Sequence, residues 1–170
     1  TFEAVDHGLV SHLDIMLDCK EGTDEALVFA RNHPWLSTGW HAHYWGWPIL
    51  PVDEVSSMVN ENGRFKGRSD RMNNPERAEM KYEECRKECR AEMENCIRLL
   101  GKPLDFGGSL NYGKLPITLA VYDTAREYGL MRLYVSKEEE IPGNEKNDMR
   151  HFGETPNLRE NYYNKDMDHG

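Results

Sequence analysis

The chain has 170 residues, 38% of them hydrophobic and 30% charged, and it carries a formal net charge of −9 at pH 7. This length predicts a single domain with a buried core, and the acidic balance argues against nucleic acid or an anionic membrane surface as the main partner. No apolar run approaches the length of a membrane span and Thr1 begins no secretory signal, so the expected location is the cytoplasm.

The amino-acid pattern alternates between helix-like and strand-like segments. Capping residues mark helix starts, with Thr23 before an apolar stripe and Pro75 before a long charged segment. Glycines mark helix ends at Gly8, Gly101 and Gly129. The predicted elements in chain order are the helix end 2–8, the strand 9–17, the helix 23–32, the strand 38–44, a helical turn 53–60, the helix 75–100, the short strand 104–106, the helix 116–128 and the strand 130–135.

The first predicted strand places two polar side chains on one face. His12 and Asp14 are two residues apart, whereas Leu13 and Ile15 belong to the opposite face. A strand that is apolar on one face and polar on the other is typical of a half-buried sheet. The polar face of this strand is therefore a candidate for a functional site.

The segment 37–51 contains the motif His41-Ala-His43. Side chains two residues apart point the same way in an extended backbone, so the two imidazoles can offer neutral nitrogens to one metal ion. Trp40 and Tyr44, which flank the motif, favour a half-buried strand. The alternative interpretation is that both histidines only form hydrogen bonds at the rim of a sheet.

The predicted helix 75–100 carries most of the cysteines, with Cys85, Cys89 and Cys96 on one face. Their spacing suits neither a disulfide framework nor a Cys-x-x-Cys zinc site. We therefore expect buried, reduced thiols at these positions.

Alternation of strands and helices with short connections predicts a parallel sheet wrapped by helices. In such sheets the functional side chains lie at the carboxyl ends of the strands. Four polar side chains come late in their predicted strands. We therefore expect them to lie together at the carboxyl-end edge of the sheet, and they are His12, Asp14, His41 and His43.

Residues 136–170 contain almost no aliphatic side chains and show no clear periodicity. Such a segment cannot bury enough apolar surface to form its own core. We therefore expect a folded domain over residues 1–135, followed by a polar tail or arm over residues 136–170.

Several segments carry a resemblance to a known family. They are V-D-H-G-L-V-S-H-L-D-I-M (5–16), D-E-A-L-V-F-A-R-N-H-P-W-L-S-T-G-W-H-A-H (24–43), P-V-D-E-V-S-S-M-V-N-E-N-G-R-F (51–65), A-E-M-E-N-C-I-R-L-L-G-K-P (91–103) and A-R-E-Y-G-L-M-R (125–132). Taken in order, they cover most of residues 2–135. The chain resembles the YdjC/ChbG family of carbohydrate deacetylases.

This resemblance implies a fold and an activity. The implied fold is of the α/β class, a TIM-like (β/α) barrel or a partial, open version of it with a parallel sheet. Members of the family remove acetyl groups from N-acetylated sugars such as chitin-derived disaccharides, with a divalent metal ion held by one Asp and two His. His41, which follows Gly39 in a G-x-H pattern, is implied as one of these two histidines.

The chain departs from the family pattern at two motifs. The family begins with a strand ending in N-A-D-D-F-G, which carries a metal-binding Asp and the proposed general base, and this chain begins after that strand. The family motif D-S-H-H-H-V-H is replaced by Gly107-Gly-Ser-Leu-Asn-Tyr-Gly113, at unchanged spacing between Pro103 and Pro116. Of the implied metal ligands, only His41 is present.

The number of predicted strands is also small for the implied fold. A TIM barrel takes roughly 250 residues and eight strands, whereas the strand predictions above number four. We therefore expect either a piece of a longer polypeptide or an open sheet whose edges are covered by a second copy of this chain or by another chain.

The principal functional hypothesis is a metal-dependent hydrolase of the carbohydrate deacetylase type, which cleaves the C–N amide bond of an N-acetylated sugar. A rebuilt site for zinc or magnesium would consist of His12, His41 and His43. Asp14 would act as the general base or as a further ligand. The aromatic side chains expected to contact the sugar are Trp40, Tyr44, Trp45 and Trp47.

Two alternatives remain open. A catalytically degenerate relative would keep the aromatic side chains and bind a glycan or a partner subunit. A divergent relative would perform other chemistry on the same scaffold, which a fold alone never excludes. Both alternatives remain because the family's histidine motif is replaced in this chain.

Overall fold

A computed structural model describes residues 2–66, 79–107 and 116–132 of the chain. Within these ranges helices alternate with short strands, as the sequence pattern predicts. The elements in chain order are helix α1 (Phe2–Asp6), strand β1 (His12–Ile15), helix α2 (Glu21–Asn32), strand β2 (Ser37–Trp40), a 3₁₀ helix (Val52–Glu54), helix α3 (Tyr82–Leu100), strand β3 (Phe106–Gly107), helix α4 (Pro116–Glu127) and strand β4 (Met131–Arg132).

The four strands in the described ranges form one parallel sheet in the order β1-β2-β3-β4. His12 pairs with Ser37 and Asp14 pairs with Gly39, and Phe106 of β3 lies on the other side of Gly39. Each pair of neighbouring strands is connected through a helix, which is the crossover expected for parallel strands. The parallel sheet predicted from the alternation is confirmed.

The two faces of this sheet have different surroundings. Ile15 and Trp40 belong to the hydrophobic core, together with Leu27 of α2, and α3 packs against both α2 and α4. His12 and Asp14 lie on the opposite face, as the alternation predicts, and the Asp14 side chain is exposed. The apolar face is thus covered by helices, and the polar face of β1 is accessible.

The strands are shorter than predicted. β1 starts at His12, so this residue lies at the beginning of its strand and not late in it. β2 ends at Trp40, so His41 and His43 follow the strand. Tyr44 has a positive φ of 57°, and this left-handed conformation is incompatible with the extended structure predicted through residue 44.

The start of α2 also differs from its prediction. The helix begins at Glu21, before the predicted N-cap Thr23. The Thr23 hydroxyl donates a hydrogen bond to the carbonyl oxygen of Met16 at 2.6 Å and accepts one from the N–H of Cys19 at 3.1 Å. Thr23 therefore fastens the connection between β1 and α2, and its hydroxyl is not available as an N-cap.

Two further boundaries are corrected by the structure. A 3₁₀ helix at Val52–Glu54 takes the place of the helical turn predicted over 53–60. α3 begins at Tyr82, later than predicted, because Lys81 has extended backbone with φ −84° and ψ 128°. The predicted start at Pro75 lies outside the described residues.

The helices have the character expected from their composition. Cys85, Cys89 and Cys96 are buried free thiols on α3, which confirms that prediction.

Among the helices in the described ranges, none combines the length and the apolar character that crossing a bilayer requires.

The described residues thus form an α/β unit with an open parallel sheet, which confirms the fold class, and a closed barrel is not shown. The segment that replaces the family's histidine motif lies mostly outside the described residues, and so does the predicted tail 136–170. The domain boundary at residue 135 and the association with a second chain stay predictions.

Candidate functional site

His12 and Asp14 form a hydrogen-bonded pair on the accessible face of β1. Nε2 of His12 lies 3.0 Å from Oδ1 of Asp14, and Nδ1 of His12 lies 3.0 Å from Oγ of Ser37. Phe106 packs edge-on against the imidazole with ring centroids 5.6 Å apart. Both ring nitrogens of His12 are therefore engaged, and the Asp14 side chain, which is 47% exposed, is the reachable member of the pair.

Gly39 makes room for this pair. A Cβ atom at this position of β2 would lie 2.1 Å from Oδ1 of Asp14 and 3.1 Å from Nε2 of His12. Non-bonded heavy atoms do not approach each other as closely as the first of these distances, so a side chain at this position would displace the Asp14 carboxylate from His12. Gly39 of the G-x-H pattern thus has a structural role, because the absence of a side chain there leaves the space that Asp14 occupies.

The side chains of His41 and His43 converge directly after β2. Their Nε2 atoms are 2.6 Å apart and their ring centroids 3.8 Å apart. A hydrogen bond between two neutral imidazoles requires that one of these Nε2 atoms carries the hydrogen and the other accepts it. Nδ1 of His43 lies 2.9 Å from Sδ of Met16. The two imidazoles converge as predicted, although the extended strand on which that prediction rested ends at Trp40.

The loop after His43 is fastened to Asp18, a buried residue that follows β1. Oδ2 of Asp18 accepts hydrogen bonds from the N–H groups of Trp45 and Gly46, each at 2.7 Å. The Asp18 carbonyl oxygen accepts a further bond from the N–H of Trp47 at 3.1 Å. Successive peptide N–H groups of this kind form a concave binding site for an anion, and here the Asp18 carboxylate occupies it.

Glu88 and Glu92, both buried on α3, bind the same loop and the segment after it. The carboxylate of Glu88 accepts hydrogen bonds from the N–H groups of Ile49 and Leu50 at 2.6 and 3.1 Å. The Tyr44 hydroxyl donates a hydrogen bond to Oε2 of Glu92 at 3.0 Å.

Burial raises the pKa of Glu88 to about 7. Burial, and then the nearby Glu88 and Asp18 carboxylates, raise the pKa of Glu92 well above its ordinary value.

The free energy of unfolding is expected to decrease with rising pH because of Glu88. Its pKa rises from an ordinary 4.5 to about 7 in the folded chain, so the folded chain holds this proton more tightly than the unfolded chain. The resulting stabilisation is complete below the ordinary pKa and is lost as pH rises through the folded one. It amounts to about 3 kcal/mol. Urea unfolding at several pH values across this window measures it.

The matched variants for this pH dependence are Glu88→Gln and Glu84→Gln. Glu88→Gln removes the titrating group and should reduce the slope. Burial raises the pKa of Glu84, but hydrogen bonds from Ser57 and Lys81 outweigh it and lower the pKa overall, so Glu84→Gln should preserve the slope. Equal slopes in Glu88→Gln and the native chain would contradict the assignment.

The predicted aromatic contacts divide into buried and exposed rings. Trp40 is 0% exposed and Tyr44 is 1% exposed, so core side chains cover both rings and a sugar cannot reach them in this structure. Trp45 and Trp47 are 37% and 38% exposed. Trp45 stacks on His43 with ring centroids 4.3 Å apart and an interplanar angle of 1°. Of the four rings predicted to contact a sugar, those of Trp45 and Trp47 are accessible in this structure.

Comparison with known proteins identifies the family of this chain. The family model described as YdjC-like protein matches residues 1–167. The chain belongs to the YdjC-like protein family. The resemblance seen in the sequence is thereby confirmed, and the match continues past residue 135 into the segment predicted as a tail.

A solved structure with a similar fold comes from Enterococcus faecalis V583 and is described as a "putative cellobiose-phosphate cleavage protein". The TM-score is 0.64 and the sequence identity is 24%, over 86% of this chain and 55% of that chain. The YdjC-like chain thus spans about half the length of this solved protein. Among curated proteins, no sequence matches the chain.

The positions of its histidines bear on the predicted metal site of this YdjC-like chain. Within residues 2–66, 79–107 and 116–132, no three His, Cys, Asp or Glu side chains are grouped so that they could hold a metal ion. Catalytic zinc sites use three protein ligands. The nitrogens of His41 and His43 converge but, at 2.6 Å, are closer together than the roughly 3.3 Å between two ligands of a tetrahedral zinc ion, so they must separate to bind one. His12 is hydrogen-bonded to Asp14. The metal-binding roles of His12, His41 and His43 stay predictions.

The sequence-based search missed Asp18, Glu88 and Glu92. A signal for the two glutamates is present in the periodicity of α3, because residues at intervals of three and four share a helix face. Glu88 and Glu92 fall at these intervals within the face that carries Cys85 and Cys89. Carboxylates on an apolar helix face indicate buried acceptors for another segment. For Asp18, which follows Leu17, the sequence offers no comparable signal.

Proposed function

We propose that this YdjC-like chain is a hydrolase of the carbohydrate deacetylase type, acting on the amide of an N-acetylated sugar. In the reaction a water oxygen bonds to the carbonyl carbon, the C–N bond breaks, and acetate and a free sugar amine are released. One observation carries the proposal. His41 and His43 converge, with Nε2 atoms 2.6 Å apart, directly after β2, the strand that pairs with the Asp14-bearing strand β1.

Asp14 is the residue we assign as general base. Its Oδ1 is held 3.0 Å from Nε2 of His12, which in turn is held by Ser37. These contacts orient the carboxylate and leave it accessible, so it can take up the proton of the attacking water and pass it to the departing nitrogen. His12 then acts by orienting Asp14.

A divalent ion, zinc or magnesium, is part of the proposal. His41 and His43 would hold it, and imidazole nitrogen favours zinc over magnesium. When bound, such an ion makes water a better nucleophile at neutral pH and polarises the carbonyl group. For both Nε2 atoms to bind, the hydrogen that they share must first move to Nδ1 of the donor ring.

Acetate release from a panel of N-acetylated sugars, with zinc or magnesium added, tests this function. We expect weak or absent turnover of diacetylchitobiose, because the segment from Gly107 to Gly113 lacks the histidines of the family motif. Turnover of a different N-acetylated sugar would support the proposed activity. Robust turnover of diacetylchitobiose would contradict the expectation for that substrate, and no release from any sugar would refute the hydrolase.

A catalytically degenerate, glycan-binding relative is the second candidate function. The half-exposed rings of Trp45 and Trp47 favour it. Two cations lie over the Trp47 ring, with Nζ of Lys20 at 4.8 Å and the guanidinium carbon of Arg64 at 4.6 Å from the ring centroid. Aromatic rings beside charged donors commonly contact sugars. Titration of tryptophan fluorescence with the same sugars, in the absence of hydrolysis, would distinguish this function from the first.

A further inference from the structure

We propose that Asp18 is the positioning residue for the His41–His43 pair. Its carboxylate shapes the loop that carries the two imidazoles, although it does not contact either ring in the hydrogen bonds described above. The importance of this role for catalysis rests on the proposed function. The role itself follows from the contacts of the loop.

The loop that carries the pair needs a support outside β2. The strand ends at Trp40, and the N–H of His41 makes one more backbone hydrogen bond, to the carbonyl oxygen of Ile15 at 2.9 Å. Tyr44 then adopts a left-handed conformation with φ 57°, which is unfavourable for a residue with a side chain. Such a conformation persists where the surrounding structure fixes it.

Asp18 provides this support through three successive peptide groups. Oδ2 accepts from the N–H groups of Trp45 and Gly46 at 2.7 Å each, and the carbonyl oxygen accepts from the N–H of Trp47 at 3.1 Å. Asp18 is 3% exposed, so water does not compete freely for these donors. The backbones approach so closely that a Cβ at Gly46 would lie 1.9 Å from the Asp18 carbonyl oxygen.

The position of the loop determines where the two imidazoles lie. The ring of Trp45 stacks on that of His43 with an interplanar angle of 1°, and Nε2 of His43 is paired with Nε2 of His41 at 2.6 Å. Asp18 therefore fixes Trp45, Trp45 fixes His43, and His43 fixes His41. Loss of the Asp18 acceptor frees the Trp45 amide, so the ring that stacks on His43 is no longer held in place and the contact of His43 with Met16 is left without this support.

The hydrogen bond between the two imidazoles provides a direct readout. In ¹⁵N-labelled protein, an N–H···N bond gives a scalar coupling between the two Nε2 nuclei, which NMR detects without metal or sugar. We expect the coupling in the native chain and its loss in Asp18→Ala, with cooperative urea unfolding retained. Asp18→Asn keeps a carbonyl oxygen for both N–H groups and should restore the coupling.

The matched control is Glu84→Ala. Glu84 also accepts a backbone N–H, that of Ser57 at 2.7 Å, but outside the loop, so this variant should keep the coupling. Trp45→Ala removes the intermediate ring and should lose the coupling, and it serves as the test if Asp18→Ala does not fold. Retained coupling in folded Asp18→Ala or in Trp45→Ala would overturn the proposal, and so would its loss in Glu84→Ala. Absent hydrolysis beside an intact coupling would refute the proposed function alone.

Discussion

His41→Ala is expected to abolish stoichiometric zinc binding and any acetate release while leaving the chain folded. The His41 side chain is exposed, so its truncation creates no cavity in the core. It does remove one of the two nitrogens that converge after β2, and because catalytic zinc sites use three protein ligands, the one imidazole that is left falls further short of such a site. Zinc content after dialysis, acetate release and urea unfolding measure the three quantities on the same preparation.

His7→Ala is the matched control for this experiment. His7 is also exposed, but its Nδ1 is bonded to the carbonyl oxygen of Glu3 at the end of α1, away from the sheet. We expect this variant to bind zinc like the native chain. Stoichiometric zinc retained by His41→Ala would show that His41 has a structural role.

Gly46→Ala is expected to destabilise the fold by more than about 3 kcal/mol, near the upper end of what overpacking usually costs. The added Cβ would lie 1.9 Å from the carbonyl oxygen of Asp18 and 3.3 Å from its Oδ2. The first contact is with backbone, which cannot rotate away as a flexible side chain does. Relief therefore requires the loop to separate from Asp18, at the cost of the hydrogen bonds between them. Urea unfolding gives the difference.

Gly22→Ala separates this effect from a general effect of replacing glycine. Gly22 is exposed within α2, and a Cβ there would meet nothing within 4 Å. Alanine is favoured over glycine inside a helix, so this variant should be as stable as the native chain or up to about 1 kcal/mol more stable. Similar losses of stability in both variants would show that the clash at Gly46 has been overestimated.

Local pattern was sufficient to predict the class of the fold. Helix ends at Gly101 and Gly129 follow from the positive φ that each glycine adopts, and the alternation of elements leads directly to parallel pairing. The strand bounds were predicted less well. In strands as short as β1 and β2, the ends depend on hydrogen bonds to neighbouring segments, and a residue such as Tyr44 leaves the extended region despite its high strand propensity.

The candidate site was predictable where its geometry is local. His41 and His43 are two residues apart, so their spacing indicates a shared direction, whereas their exact placement after the end of β2 depends on the contacts of the loop. The residues that hold their loop act across long stretches of sequence. Asp18 binds the N–H of Trp45 over 27 residues, and Glu88 binds the N–H of Ile49 over 39 residues. A backbone N–H has no sequence signature, since every residue except proline carries one, so such bonds are visible only in three dimensions.

The strand order β1-β2-β3-β4 has a consequence for how the chain folds. Each strand pairs with its neighbour in sequence, but the connection between β2 and β3, from Trp40 to Phe106, is much longer than the other two connections, so its closure has the largest entropic cost. Parallel pairing across such a separation forms comparatively slowly. The bonds of Asp18 and Glu88 to the histidine loop form only when separate β/α units have docked. In refolding kinetics, we expect the imidazole pair to order after the sheet and its helices have assembled.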